Sequence, residues 1–290
     1  MRRIAILGCE NSHADQFLNF IKNYSDFLDI EVVGIYSDEK EPAERLSKLF
    51  GINVLENYDS AVGMVDGIVI TARHGDNHIK YALPYINDGI PMFIDKPFTV
   101  NETDAVKFGK LLKEKNVPIT GGSSLAKEEF VCQLSEEAKA EADGKTIGGF
   151  VRAPLDANSQ YGGFFFYAQH LTEMVMKIFG NDPISVRSAV CDNKRTVLFR
   201  YSDFDVTGLF VENNYVYYAA RFAEQSCNSK QLNLRDSKCF FNEFMEFYKL
   251  LCGEEQKKSY EDFVKPVFIM NAIYRSFESG KEEKVGSFEL

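Results

Sequence analysis

The chain has 290 residues, 45% of them hydrophobic and 26% charged, the balance of a globular protein with room for one large or two ordinary domains. A formal net charge of −10 and a pI near 5.1, with no basic cluster, exclude a nucleic-acid backbone as the natural partner. No stretch approaches the roughly 20 apolar residues of a membrane span, and residues 4–7 are too short an apolar run for a secretory leader, so a cytoplasmic protein is expected.

Six scattered cysteines, with no C-x-x-C pair and no zinc spacing, fit reduced thiols. In chain order, residues 4–7 predict a first strand. It opens at Gly8-Cys9-Glu10-Asn11-Ser12-His13 into a helix with Phe17, Leu18, Phe20 and Ile21 at helical spacing. A second strand is expected over 30–36 and a helix over 42–50, closed by Gly51. A strand over 65–71, a helix over 77–87, a strand over 92–95, a helix over 103–115 and a strand over 117–120 complete the alternation. Strands separated by helices predict a parallel, doubly wound sheet, whose crossovers bring several strand ends to one rim.

The fourth of these strands carries the sharpest signal. Its apolar run, bounded by Gly89-Ile90-Pro91 before and Pro97 after, ends in Asp95-Lys96. Lys96 then stands at the carboxyl edge of the sheet, where open α/β folds place their ligands, and Pro97 biases it away from helical backbone. A solvated lysine after an edge strand is the plainer alternative. The first strand-to-helix turn is the place for a dinucleotide, whose usual fingerprint is G-x-G-x-x-G. Gly8 matches it, while Glu10 stands at the second glycine position and His13 at the third. A carboxylate there opposes a pyrophosphate unless its side chain turns away, although the helix amino terminus, with Asn11 beside it, still offers N–H donors. Ser37 occupies the ribose-reading position after the second strand, and Asp38 follows. An acid there favours NAD slightly over NADP; an ordinary turn residue is the other reading of Asp38.

Gly121-Gly122 marks a boundary, giving domains 1–121 and 122–290. A charged amphipathic helix is expected over 124–142, a strand over 148–152, and then Tyr161-Gly162-Gly163 leading through an aromatic cluster to His170, which opens a helix ending at Phe179. Strands are expected over 185–191, 196–201, 205–211 and 215–220, with hairpin corners at Asp192-Asn193-Lys194 and Asn213-Asn214. Helices over 240–251 and 263–277 close the chain. The 25 phenylalanines and absent tryptophan suit core packing better than a base-stacking surface. The four histidines (His13, His74, His78, His170) form no metal-ligand spacing with carboxylates, so no metal is expected.

Taken together these segments resemble the Gfo/Idh/MocA-type dehydrogenases along nearly the whole chain. Ile94-Asp95-Lys96-Pro97-Phe98 is similar to that family's E-K-P motif, with aspartate for glutamate. Asp66 to Thr71 and on through Asn77-His78 resembles its third strand and following histidine, which puts Thr71, His78 and Asp95 with Gly8, Glu10, Asn11, His13, Ser37 and Asp38 as candidate cofactor contacts. Gly162-Gly163 through His170 to Phe179-Gly180 looks like its G-G…D-x-G-x-H…L-x-G segment, and residues 259–276 like its closing helix. The resemblance implies a Rossmann domain followed by an α+β domain with a large open, mostly antiparallel sheet, a homo-oligomer formed through that sheet, and a small-molecule substrate. It also implies NAD(P)-dependent oxidation of a sugar, polyol or related hydroxylated compound, with Lys96 and His170 as catalytic residues and Tyr167 as a further substrate contact. Phe166 stands where the family has an aspartate and Ala168 where it has a glycine. Phenylalanine carries no proton, so a non-catalytic or regulatory ligand-binding paralogue is the alternative, and non-redox sugar chemistry a third.

Overall fold

Residues 1–290 are all described by a computed structural model. The short apolar runs of the first third become parallel strands buried on both faces, as crossover helices require: β1 (Arg2–Leu7), β2 (Ile30–Tyr36), β3 (Gly67–Ile70), β4 (Met92–Asp95) and β5 (Ile119–Gly122) form one sheet in the order β2-β1-β3-β4-β5. The intervening helices are α1 (Ser12–Asn23), α2 (Lys40–Phe50), α3 (Asp76–Ala82, continued by a 3₁₀ turn Leu83–Asp88) and α4 (Glu102–Glu114). A single bridge adds to the edge beyond β2: Ile35 N donates to Asn53 O at 3.0 Å and Leu55 N to Ile35 O at 2.9 Å, pairing Ile35 with Val54. Counting that bridge as a strand gives the 3-2-1-4-5-6 order of dinucleotide-binding sheets. The order reverses between β1 and β3, so the ligand crevice of this unit opens above Leu7 and Ile70.

The chain then builds a second unit and returns. Met1–Gly122 with Phe240–Phe263 and Leu290 form the first unit, and Ser123–Cys239 with Val264–Glu289 the second. A single cut at 121/122 omits this return. Its cause is the apolar stripe of α7 (Cys239–Leu251). The Phe244 ring centroid lies 5.0 Å from that of Phe17, and Phe247 lies 6.4 Å from Phe93, so from Phe240 onward α7 completes the core of the first unit.

The second unit contains α5 (Glu129–Ala140), β6 (Thr146–Leu155), α6 (Phe165–Phe179), β7 (Ser185–Cys191), β8 (Lys194–Arg200), β9 (Asp205–Glu212), β10 (Tyr217–Ala223), β11 (Cys227–Leu232) and β12 (Glu282–Lys284), with α8 (Tyr260–Ser279) entering it from Val264. Its seven strands run β11-β10-β6-β9-β8-β7-β12, antiparallel except for the β6–β9 pair. Asp192 is the left-handed corner of the β7–β8 hairpin, with φ 52°. Asn213-Asn214 is not a hairpin corner: β6 lies between β9 and β10, and the segment carries the chain past it. β11 and β12 escape sequence pattern because both are polar edge strands, the form that discourages further pairing. The helix expected from residue 124 is interrupted at Glu128, which is extended and caps α5 by accepting from Phe130 and Val131 N–H. No helix is long and apolar enough to cross a membrane.

Candidate functional site

The first strand-to-helix turn is shaped by Gly8. Its φ is +82°, and a Cβ there would lie 2.3 Å from the backbone nitrogen of Ala72, so only glycine lets the loops after β1 and β3 approach this closely. Thr71 fastens the same approach, its hydroxyl donating to Gly8 O at 3.0 Å. Asn11 is the N-cap of α1, its Oδ1 accepting from His13 N at 3.3 Å. Glu10 turns away from that helix terminus. Its carboxylate accepts from the Ser37 hydroxyl at 2.7 Å and from Arg73 N–H at 3.0 Å, which removes the like-charge conflict with a pyrophosphate. The turn therefore fits a dinucleotide: a close backbone approach and a capped helix amino terminus with no carboxylate over it.

Asp38 does not reach into this arrangement. It accepts from the Tyr36 hydroxyl at 2.6 Å and pairs with Lys80 at 3.1 Å. Although burial acts to raise its carboxyl, the hydrogen bonds from Tyr36 and Lys80 hold it below the ordinary value. His78 is placed away from the crevice as well. It is wholly buried, and its Nε2 donates to Ala72 O at 2.8 Å, bracing the loop after β3 from behind. Burial lowers its pKa.

At the end of β4 the fold assembles a buried polar group. Asp95 Oδ2 accepts from Asn11 Nδ2 at 2.8 Å and lies 2.8 Å from His13 Nδ1, while its Oδ1 accepts from Lys96 N–H at 2.7 Å. Burial alone would raise this carboxyl; the adjoining His13, with Lys96 and His78 behind it, keeps it below its ordinary value. Lys96 is 4% exposed, and the peptide joining it to Pro97 is cis. Burial lowers the lysine pKa, Asp95 and Glu243 oppose that, and Arg73 adds to it, leaving the net shift downward. A lysine so placed reaches its neutral, proton-accepting form more readily than one in water.

One consequence is measurable. A carboxyl lowered on folding adds stability above its unfolded value that is lost as pH falls through the folded one. Asp95→Asn is therefore expected to melt below wild type at neutral pH, with the gap closing below the ordinary aspartate value of 3.8. Thermal unfolding across acid pH checks this, and a constant gap would count against the ionised carboxylate.

Glu243 is the residue sequence reasoning passes over. It is fully buried on α7, among Phe240, Phe244 and Phe247 of the same helical face. Phe240 packs edge-on against His13 at 5.1 Å and Phe247 against Phe93 of β4, so this face runs alongside the strand ending at Lys96. The available signal is a lone carboxylate within a phenylalanine stripe.

In the second unit, α6 begins at Phe165, five residues before His170, so His170 lies within the helix rather than at its start. Its Nδ1 shares a 2.7 Å hydrogen bond with the Ser123 hydroxyl, which also accepts from Leu125 N–H. Ser123 N–H and Gln169 Nε2 both donate to Glu173 Oε1, at 2.9 and 2.6 Å, and hold this end of the unit in place. Tyr167 and Tyr217 flank the imidazole at 5.8 and 6.3 Å. Phe166 packs against Tyr161 and Tyr167 and brings no ionisable group.

Comparison with known proteins agrees with this geometry. Residues 2–123 match the GFO_IDH_MocA model, an oxidoreductase family with an NAD-binding Rossmann fold. No curated protein sequence matches the chain. Among solved structures, scyllo-inositol dehydrogenase from Lactobacillus casei, with bound NAD(H) and scyllo-inositol, superposes with a TM-score of 0.84 at 13% identity, covering 99% of this chain and 100% of that one. A myo-inositol dehydrogenase from Corynebacterium glutamicum gives 0.81 at 16% identity over 99% and 100%. The WlbA dehydrogenase from Chromobacterium violaceum, in complex with NADH and UDP-GlcNAcA, gives 0.78 at 11% over 99% and 97%. At these identities the likeness is one of fold.

Proposed function

We propose that the protein, whose residues 2–123 match the GFO_IDH_MocA oxidoreductase family model, is an NAD(P)-dependent oxidoreductase acting on a sugar, polyol or related hydroxylated small molecule. The observation that carries this reading is Lys96: a buried lysine of lowered pKa at the carboxyl end of β4, beside the strand-order reversal where such sheets bind dinucleotides. The polyol class follows the inositol dehydrogenases among the structural neighbours. When bound, the nicotinamide cofactor supplies the hydride acceptor.

The chain's own residues supply the rest. Gly8 admits the close approach of the loops after β1 and β3, and the amino terminus of α1 would hold the phosphates. Asn11 and His13 fix Asp95, which holds the Lys96 backbone N–H. Lys96 Nζ, in its neutral form, takes the proton of the substrate hydroxyl as the carbon loses hydride. His170, steadied by Ser123, is proposed to orient the substrate by hydrogen bonding, with Tyr167 as a second polar contact. Domains 1–121 and 122–290 are proposed as the cofactor half and the substrate half. The face of the second sheet that carries the half-exposed Phe150, Leu198, Leu209 and Tyr218 is proposed to join copies of the chain.

Phe166 favours a second reading, a ligand-binding paralogue without hydride transfer, since it places no carboxylate at that point of the segment. One assay separates the two: inositols, aldoses and sugar acids offered with NAD+ or NADP+, followed by absorbance of the reduced nicotinamide. Turnover of any of them supports the oxidoreductase. Tight cofactor binding with no turnover across the panel supports the paralogue.

A further inference from the structure

In dinucleotide-binding sheets the carboxylate that reads the adenosine ribose ordinarily comes from the end of the second strand. Here that strand ends at Tyr36, and the next residue, Ser37, has no acid to offer. Asp38 follows, but its charge is paired with Lys80 and its other oxygen is held by the Tyr36 hydroxyl, whereas Glu10 accepts from neutral donors. The acid at the ribose-reading position arrives instead from the first strand-to-helix turn. Glu10 Oε2 lies 2.7 Å from Ser37 Oγ, and its other oxygen is held at 3.0 Å by Arg73 N–H.

The hydroxyl of Ser37 accepts from Glu39 N–H at 3.0 Å, so its own proton is committed to Glu10. This arrangement sets the selectivity in two ways. A serine after the second strand would otherwise be a donor for a 2′-phosphate, and here that donor is spent. A carboxylate has about four acceptor sites; the fold uses two of them, and two remain for the two hydroxyls of a ribose diol. A 2′-phosphate would bring a dianion against the same carboxylate. The neighbouring groove, of about 390 Å³, is lined by Tyr36, Ser37, Asp38 and Leu55, so Ser37, with Glu10 bonded to it, forms part of its wall.

We propose that Glu10, displaced from the phosphate-binding turn onto Ser37 and Arg73 N–H, is the residue that reads the cofactor's ribose diol and selects NAD(H) over NADP(H). The assignment rests on the oxidoreductase reading and adds to it the source of cofactor choice. It also gives the non-glycine residue at this point of the fingerprint a use rather than a defect.

The test is titration of NADH and NADPH, each followed by its own fluorescence, into wild type and Glu10→Gln. The amide keeps the side chain's size and one acceptor oxygen but removes the charge. Wild type is expected to bind NADH at least about tenfold more tightly than NADPH, the scale of one charge-assisted hydrogen bond. In Glu10→Gln the ratio should fall to within about threefold, through weaker NADH and stronger NADPH binding. A second variant, Ser37→Ala, should reduce the preference less than Glu10→Gln does, because it leaves the carboxylate on Arg73 N–H. An NADPH preference in wild type, or an unchanged ratio in Glu10→Gln with NADH still bound, overturns the assignment and leaves the oxidoreductase reading standing. Binding of neither nucleotide to any of the three proteins overturns both.

Discussion

Replacing Lys96 with Met is expected to lower kcat by about a thousandfold, the range of a lost general acid–base group, while the protein still folds. The fold should survive because Lys96 is 4% exposed and its charge is already penalised by burial. Methionine fills similar space, but taking one charge out of a buried cluster costs about 3–5 kcal/mol where a partner is left without it, here the buried Glu243, so the variant should melt below wild type while remaining folded. Asp95 keeps its partners in the variant, since Asn11, His13 and the residue-96 backbone N–H are untouched. The pH profile adds a second readout. Oxidation of a hydroxyl needs the neutral amine, so turnover should rise with pH through an ionisation below lysine's ordinary value and then level off. That rising limb should vanish in Lys96→Met along with the rate. Wild-type turnover in the variant, or an unaltered limb, would remove Lys96 from the chemistry.

The second large effect concerns Gly8. Gly8→Ala is expected to destabilise the first unit by roughly 3–5 kcal/mol, combining a side chain at left-handed φ with overpacking against backbone. The clash cannot be relieved by a rotamer change, because the atoms met are Ala72 N and Cα, at 2.3 and 2.4 Å. Gly51 provides the control. Its φ is +70° but a Cβ there meets nothing within 4 Å, so Gly51→Ala carries only the backbone term, about 1 kcal/mol. Denaturant unfolding of the two variants separates the terms. Equal midpoints would contradict the close approach of the loops after β1 and β3, on which the cofactor turn depends.

Most of the first sheet can be read from the chain because its strands are short apolar runs closed by glycine and proline. β4 is the clearest case, predicted and observed over the same four residues. Lys96 follows from it, since a strand that stops at Lys-Pro must leave the lysine at the sheet's edge. What distance in sequence hides is the partner set. Nothing local tells that Asn11 bonds Asp95, 84 residues away, or that Glu10 leaves the phosphate turn, because its destination needs a hydroxyl after β2 and an N–H after β3.

His78 is a different case. Its place after the third strand suggests a ligand contact, and the structure shows it wholly buried with Nε2 bonded to the Ala72 carbonyl. Asp38 has the right type and spacing for the ribose, but Tyr36 and Lys80 already hold it. The hairpin expected at Asn213-Asn214 fails for a topological reason: two strands joined by a tight polar corner usually pair, and here β6 claims the place between them. Glu243 was hidden because a helix stripe of phenylalanines reads as core, and only the return of α7 to the first unit gives its carboxylate a lysine to face.

The most direct measurement is amide hydrogen exchange on the whole protein with and without saturating NADH. A dinucleotide held in the first turn should slow exchange at residues 8–14, 37–39 and 71–74, the segments that carry Gly8, Glu10, Ser37 and Arg73, and leave the β7–β8 hairpin unchanged. No slowing at those three segments, or slowing confined to other parts of the chain, would contradict the placement of the cofactor and with it the chemistry assigned to Lys96.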